Sequence, residues 1–242
     1  GLTASEAFRV THKRIRRLVE QQYTCWREQL VPALAEQRIR FLSFRELNDR
    51  DLAWVEKFYR AEVRPILTPL GIDPAHPFPQ LLNKSLNVIV RLEEKHQGEN
   101  RERLAVVQVP RVLPRLVRPP RENSQRDYLY LGRIIGNYLA DLFPGMKILG
   151  HWLFRVTRNS ELYIDEDEEK SLLSAVENEL HNRRKGDAVR LEVQWDCPLA
   201  IQSLLLETLR LGEDDLYVID GPLNPTRIMT ICDGDHSPEL RD

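Results

Sequence analysis

Residues 189–195 alternate strictly. Val189, Leu191, Val193 and Trp195 are apolar, and Arg190, Glu192 and Gln194 between them are polar. Successive side chains of a strand point to opposite faces, so this pattern predicts a strand with one buried face. All-parallel sheets are buried on both faces and read as continuous apolar runs, so this strand belongs to an antiparallel or mixed sheet. The alternation recurs in Leu86, Val88, Val90 and Leu92, interleaved with Asn87, Ile89 and Arg91, and again in Trp152, Phe154 and Val156. A polar loop around Gly98 joins the first of these to a strand over residues 104–109, which together read as a hairpin. Set among helices, such strands predict an α+β fold: a mixed or antiparallel sheet covered by helices on one side.

The helices have equally local signals. Thr3 and Glu6 form a Thr-x-x-Glu capping box. Ile15, Val19, Trp26, Leu30 and Leu34 then form one stripe of a long helix, with Arg14, Arg16, Arg17 and Arg27 off the stripe. Pro32 is expected to bend or fray its last turns. A stripe this long needs a partner, so residues 1–38 are expected to close a larger N-terminal helical domain, with a second domain over 39–242. Asn48 caps a helix running through Val63, with Leu52, Val55 and Tyr59 inward and Pro65 as its stop. Five prolines from Pro65 to Pro79 impose a stiff, extended loop with room for one short strand. Ile134, Ile135, Tyr138, Leu139 and Leu142 mark a short helix ended by Pro144 and Gly145. Leu172, Leu173, Val176 and Leu180 mark another, and Pro198 opens a last one through Leu209.

Composition narrows the class. With 42% hydrophobic residues in 242, the chain can bury a core, and no apolar run nears the roughly 18 residues of a membrane span. The first ten residues lack the pattern of a signal peptide. Cys25, Cys197 and Cys232 are few and far apart, which argues against a disulfide framework or zinc knuckle. A cytoplasmic setting is expected, peripheral membrane association included. The net charge of -2 is uneven: residues 1–122 carry 22 Lys and Arg against 15 Asp and Glu, and the rest carry 13 against 22. A basic half could meet a polyanion, unless folding mixes the halves in space.

The sequence carries no Walker loop, His-Glu-x-x-His or Gly-x-Ser-x-Gly motif, and its six histidines show no metal-ligand spacing. Neither catalytic nor metal-ligating residues are therefore assigned. Arg103, Arg111, Arg115, Arg118, Arg121 and Arg126 fall on one proline-rich stretch with Glu122 as its single acid. Such a strip could track a string of phosphates, or be a solvated loop. Little aromatic interleaving accompanies it, so nucleic acid is not an expected partner. Arg155, Arg158 and Asn159 leave a strand end, where they could hold an anion or bind backbone carbonyls. The five acids at 165–169 suit a helix N-terminus better than a magnesium site. His76, in a rigid proline loop, has no second catalytic group nearby in sequence.

Several segments together resemble the polyphosphate kinase family. They are Val-Arg-Pro-Ile-Leu-Thr-Pro-Leu-Gly-Ile-Asp-Pro-Ala-His-Pro-Phe-Pro over 63–79, Asn-Lys-Ser-Leu-Asn over 83–87, and Phe-Arg-Val-Thr-Arg-Asn-Ser-Glu-Leu-Tyr-Ile-Asp-Glu-Asp over 154–167. Gly-Asp-Ala-Val-Arg-Leu-Glu-Val over 186–193 and Tyr-Val-Ile-Asp-Gly-Pro over 217–222 complete the set. The resemblance implies an enzyme that reversibly moves the terminal phosphate of ATP onto polyphosphate with Mg²⁺, through a phosphorylated histidine outside this chain. It implies that residues 1–38 end the N-terminal helical domain, and that 39–242 are the head, or middle, domain, which helps form a dimer. No family catalytic residue falls on this sequence, so the piece is expected to be structural, inactive alone and without a tightly bound cofactor. Arg111, Arg115, Arg118, Arg155 and Arg158 are its candidate polyphosphate-facing residues. The alternative is a stand-alone dimerisation or polyanion-binding module.

Overall fold

The computed structural model describes residues 3–72, 78–96, 99–120, 126–159 and 186–231. Among these, the main sheet has the order β2-β4-β3-β7-β8-β9. Its strands are β2 (Pro69–Ile72), β3 (Leu86–His96), β4 (Glu99–Gln108), β7 (Lys147–Arg158), β8 (Ala188–Gln194) and β9 (Leu216–Ile219). Neighbours are antiparallel except β8 and β9, which run parallel. A parallel pair needs a crossover, and helix α5 (Leu199–Leu209) lies between these two strands in sequence. A small second sheet places β1 (Ile39–Phe41) parallel to β6 (Arg126–Tyr130), which pairs antiparallel with β5 (Leu116–Val117).

The sheet is covered on both faces, which corrects the one-sided cover read from the alternation. On one face Val88, Val90, Leu92, Ala105 and Val107 pack with residues of α3 (Asp49–Phe58) and α4 (Leu131–Asn137). On the other, Ile89, Val106, Phe154, Val156, Leu191 and Val193 pack with Ile201, Leu205 and Leu209 of α5. Ile89 and Val106 sit in the register that reads as polar, and they carry the second core. Asn87, in the same register, is buried too; its amide donates to the Ser85 carbonyl (3.1 Å) and hydroxyl (3.2 Å). In β8 the expected apolar face is only half realised. Leu191 and Val193 are buried, while Val189 and Trp195 at its ends are exposed and Glu192 on the polar face is buried.

Helix α1 (Ala4–Cys25) opens on the capping box, with Thr3 Oγ1 accepting from the Glu6 amide and Glu6 accepting from the Thr3 amide. Ile15, Val19 and Tyr23 pack into the first core, so the sheet itself supplies a partner for the stripe. Arg16 donates to the carbonyls of Glu213 (3.0 Å) and Asp214 (2.7 Å), and Tyr23 donates to that of Pro222 (3.0 Å). Pro32 does not fray the helix. A π turn at Trp26–Leu30 precedes it, and the helix resumes as α2 (Val31–Glu36). Widening one turn shifts the hydrogen-bond register ahead of a residue that has no N–H and crowds the carbonyl four residues back. The same device ends α3, where a π turn at Tyr59–Val63 comes before Pro65. Asn48 caps α3 as expected. Its inner face is Asp51, Val55, Tyr59 and Val63; Leu52, one position off that four-residue step, is exposed, contrary to its assignment inside. Pro198 is the N-cap of α5, one position before its first turn.

Candidate anion-binding site

An open cleft of about 580 Å³ lies where β3 begins, β7 nears its end and the chain leaves β4. Lys84, Arg111, Arg115, Arg155 and Arg227 line it, and no Asp or Glu is among its described lining residues. The turn before β3 is held from several directions. Ser85 donates its hydroxyl to the Leu82 carbonyl at 2.8 Å, and the Lys84 amide donates to Val156 at 2.8 Å. The Arg158 amide donates to Asn83 Oδ1 at 2.9 Å, and Arg111 donates to the Asn83 carbonyl. So fixed, Lys84 adopts a left-handed backbone with φ 57°; across the cleft, Asn224 does the same with φ 61°. Left-handed backbone is uncommon for residues other than glycine and is retained where surrounding bonds over-determine it.

The electrostatics follow from the crowding of cations. Burial, helped by the charges of Arg227 and Arg155, pushes the Arg115 guanidinium down to about 10, so it still carries its charge at neutral pH. Among the described residues, no hydrogen bond or ion pair occupies the side chains of Lys84, Arg115 or Arg227. Arg155 differs: it donates to Glu192, whose other oxygen accepts from Arg190 at 2.8 Å. That carboxylate is 3% exposed and is not among the lining residues of the cleft; it fixes Arg155. An anion in the cleft gains several charge-assisted bonds and relieves like-charge repulsion.

Three of the sequence candidates, Arg111, Arg115 and Arg155, therefore meet in one place. Arg118 is exposed and not part of the cleft lining. Arg158 takes the carbonyl-binding role, donating to Leu81 (3.0 Å) and Gly186 (2.9 Å), and supports the turn instead of facing the opening. Arg103 pairs with Glu94 along the hairpin at 3.3 Å, away from the strip. His76, Arg121, the acids at 165–169 and the helix over 172–180 lie outside the described residues. Lys84, Asn224 and Arg227 escaped the sequence reading. Asn224-Pro225 is a turn signal, but nothing local ties Arg227 to a strip more than 100 residues earlier. Among the described residues, no group of three or more His, Cys, Asp or Glu could hold a metal ion, and a cationic cleft does not fit Mg²⁺.

Fold and cleft together define an α+β domain that gathers cations at one end of a mixed sheet. The family model described as the polyphosphate kinase middle domain matches residues 50–231. The chain belongs to the polyphosphate kinase family. Polyphosphate kinases of Xylella fastidiosa and Pseudomonas aeruginosa are each 40% identical to it across its full length, and one of Burkholderia cenocepacia is 41% identical. The chain spans about a third of the length of these relatives, 35% in each case. The polyphosphate kinase of Porphyromonas gingivalis shares the fold with a TM-score of 0.74 over 96% of this chain and 32% of its own, at 20% identity.

Proposed function

We propose that this chain is the middle-domain part of an enzyme that reversibly transfers the terminal phosphate of ATP to polyphosphate, and that its cleft holds part of the phosphate chain. The supporting observation is the convergence of Lys84, Arg111, Arg115, Arg155 and Arg227 on one opening with no carboxylate among its described lining. A phosphate chain is the complementary ligand: a flexible row of charges with acceptor oxygens on every side. Phosphoryl transfer itself also needs in-line positioning of donor and acceptor. That chemistry, with its Mg²⁺ and phosphorylated histidine, belongs on this reading to the whole enzyme, while residues 1–38 end its N-terminal helical domain. Two-fold self-association and a cytoplasmic location are parts of the same proposal.

The test is titration of the protein with tripolyphosphate by calorimetry across a series of NaCl concentrations. Affinity is expected to fall steeply with salt, as binding through several cations requires. Arg115→Ala and Arg227→Ala are each expected to weaken binding about tenfold, the loss of one charge-assisted bond. Absent binding at 50 mM NaCl, or variants that bind as well as the parent, refutes the cleft assignment.

A further inference from the structure

The wall of the cleft that carries Asn224, Thr226, Arg227 and Thr230 belongs to the stretch of chain after β9. It is a single short 3₁₀ turn, Pro225–Met229, entered through the left-handed Asn224. Such turns have poor hydrogen-bond geometry and little stability of their own, so what holds this wall must come from outside it.

The N-terminal helix supplies the hold. Tyr23, near the end of α1, is buried, and its hydroxyl donates to the Pro222 carbonyl at 3.0 Å. Burial, helped by the charge of Glu192, pushes that phenol up to about 12, so it keeps its proton for the bond. One turn on, Arg27 donates to the Asp220 carbonyl at 2.8 Å, and its Nε lies 3.5 Å from the Asp220 carboxylate. Gly221 lies between these two anchor points with no room for a side chain: a Cβ there would stand 2.6 Å from the Tyr23 ring. Beyond the turn, Leu223 is buried in the first core, and Trp26 and Leu34 pack against a small cluster that includes Ile228 and Ile231. Contacts from the N-terminal helix therefore bracket Arg227 on both sides in sequence.

Neither Tyr23 nor Arg27 lines the cleft. We propose that both are positioning residues for it: they clasp the turn over 220–223 to α1 and so set where Arg227 stands. The ligand rests on the cleft reading above; the clasp rests on the contacts of α1 alone. On that reading residues 1–38 end another domain, so the clasp carries the placement of that domain to the cations.

The test uses Arg27→Gln and Tyr23→Phe. Arg27 is exposed and Tyr23→Phe removes one oxygen, so both variants should fold. Tyr23→Phe also leaves the charge unchanged, so a loss of anion affinity in it is not a loss of direct attraction. In hydrogen exchange without ligand, amides over 224–231 should exchange about three- to tenfold faster in each variant, the weight of one hydrogen bond. Calorimetric titration with tripolyphosphate at 50 mM NaCl should show an affinity loss of about the same size, and the loss should disappear when Arg227→Ala is already present. Asn48→Ala, which removes a helix cap elsewhere at similar cost, should move neither readout. Unchanged exchange over 224–231, or an equal rise in Asn48→Ala, overturns the clasp. No affinity loss, or one that persists beside Arg227→Ala, overturns the route through Arg227. A parent that does not bind tripolyphosphate refutes the cleft reading, and the exchange rates then decide the clasp alone.

Discussion

Replacing Glu192 by Gln removes the one carboxylate that two partly buried guanidiniums share. Glu192 is 3% exposed, against 15% for Arg155 and 25% for Arg190. Arg190 has little freedom to move out: its guanidinium lies 3.9 Å from the centre of the Tyr217 ring, and its buried Nε has no hydrogen-bond partner among the described residues. Each ion pair is worth about 4 kcal/mol gross at an effective dielectric constant of 20, most of it cancelled by desolvation. Removing one member of a buried pair costs about 3–5 kcal/mol because the other charge stays behind. Both arginines keep some contact with water and Gln still offers an acceptor, so the lower end, about 3 kcal/mol, is expected. In a chain of this size each kcal/mol moves Tm by about 2–4 °C, so Glu192→Gln should melt roughly 6–12 °C below the parent. Circular dichroism melts at pH 7, with and without tripolyphosphate, measure it. An anion in the cleft supplies Arg155 with a replacement charge, so the deficit should shrink when tripolyphosphate is present. A variant melting within about 2 °C of the parent would refute the buried-pair reasoning. A full deficit untouched by tripolyphosphate would disconnect Arg155 from the anion.

Two further outcomes are expected. Burial lowers the pKa of His151 below its usual 6.5, with Asp196 pulling partly the other way. The unfolded imidazole then takes a proton more readily than the folded one, so its stabilising contribution is present above about pH 6.5 and lost as the pH falls below it. The urea midpoint should drop between pH 7.5 and 5.5, and less so in His151→Gln; an equal drop in both excludes this histidine as the cause. Asn48→Ala removes the side-chain oxygen that accepts from the Asp51 amide at 2.9 Å, and should cost about 1 kcal/mol of unfolding free energy in urea, with no measurable loss showing that the cap is dispensable.

Local chemistry made much of the fold legible. The helix caps at Thr3 and Asn48, the hairpin and the strand over 152–156 each follow from a few adjacent residues, and each stands where its pattern placed it. The two-sided cover of the sheet does not follow from the alternation, because one apolar residue among polar neighbours is enough to seat that register in a second core. Ile89 is the single apolar residue in a register shared with Asn87 and Arg91, and it faces a complete second core. Glu192 misled in the opposite direction: polar by type, it is buried because two arginines come to it, one from the neighbouring strand and one from two positions earlier. For the site, the strip supplied Arg111 and Arg115 and the end of β7 supplied Arg155. Lys84 and Arg227 needed the tertiary fold, since a lone basic residue beside a turn carries no local mark of its destination.

The uneven charge of the chain bears on the same point. Residues 1–122 are basic and the rest acidic, yet the cleft draws Lys84, Arg111 and Arg115 from the first part and Arg155 and Arg227 from the second. Spatial mixing is therefore the correct description at the cleft, and the local concentration of positive charge owes little to the imbalance along the sequence. What concentrates it is placement. Two residues in left-handed conformations border the opening, and such conformations cost of order 1–3 kcal/mol for side chains other than glycine. At Lys84 the bonds of Ser85, Arg158 and Arg111 to neighbouring turn atoms oppose relaxation. Arg158 thus holds the turn that carries Lys84, and Glu192 fixes Arg155, while among the described residues no hydrogen bond or ion pair occupies the side chains of Lys84, Arg115 or Arg227. Five cations converge on one opening with no carboxylate among its described lining residues, and that is the strongest physical reason to propose an anion there.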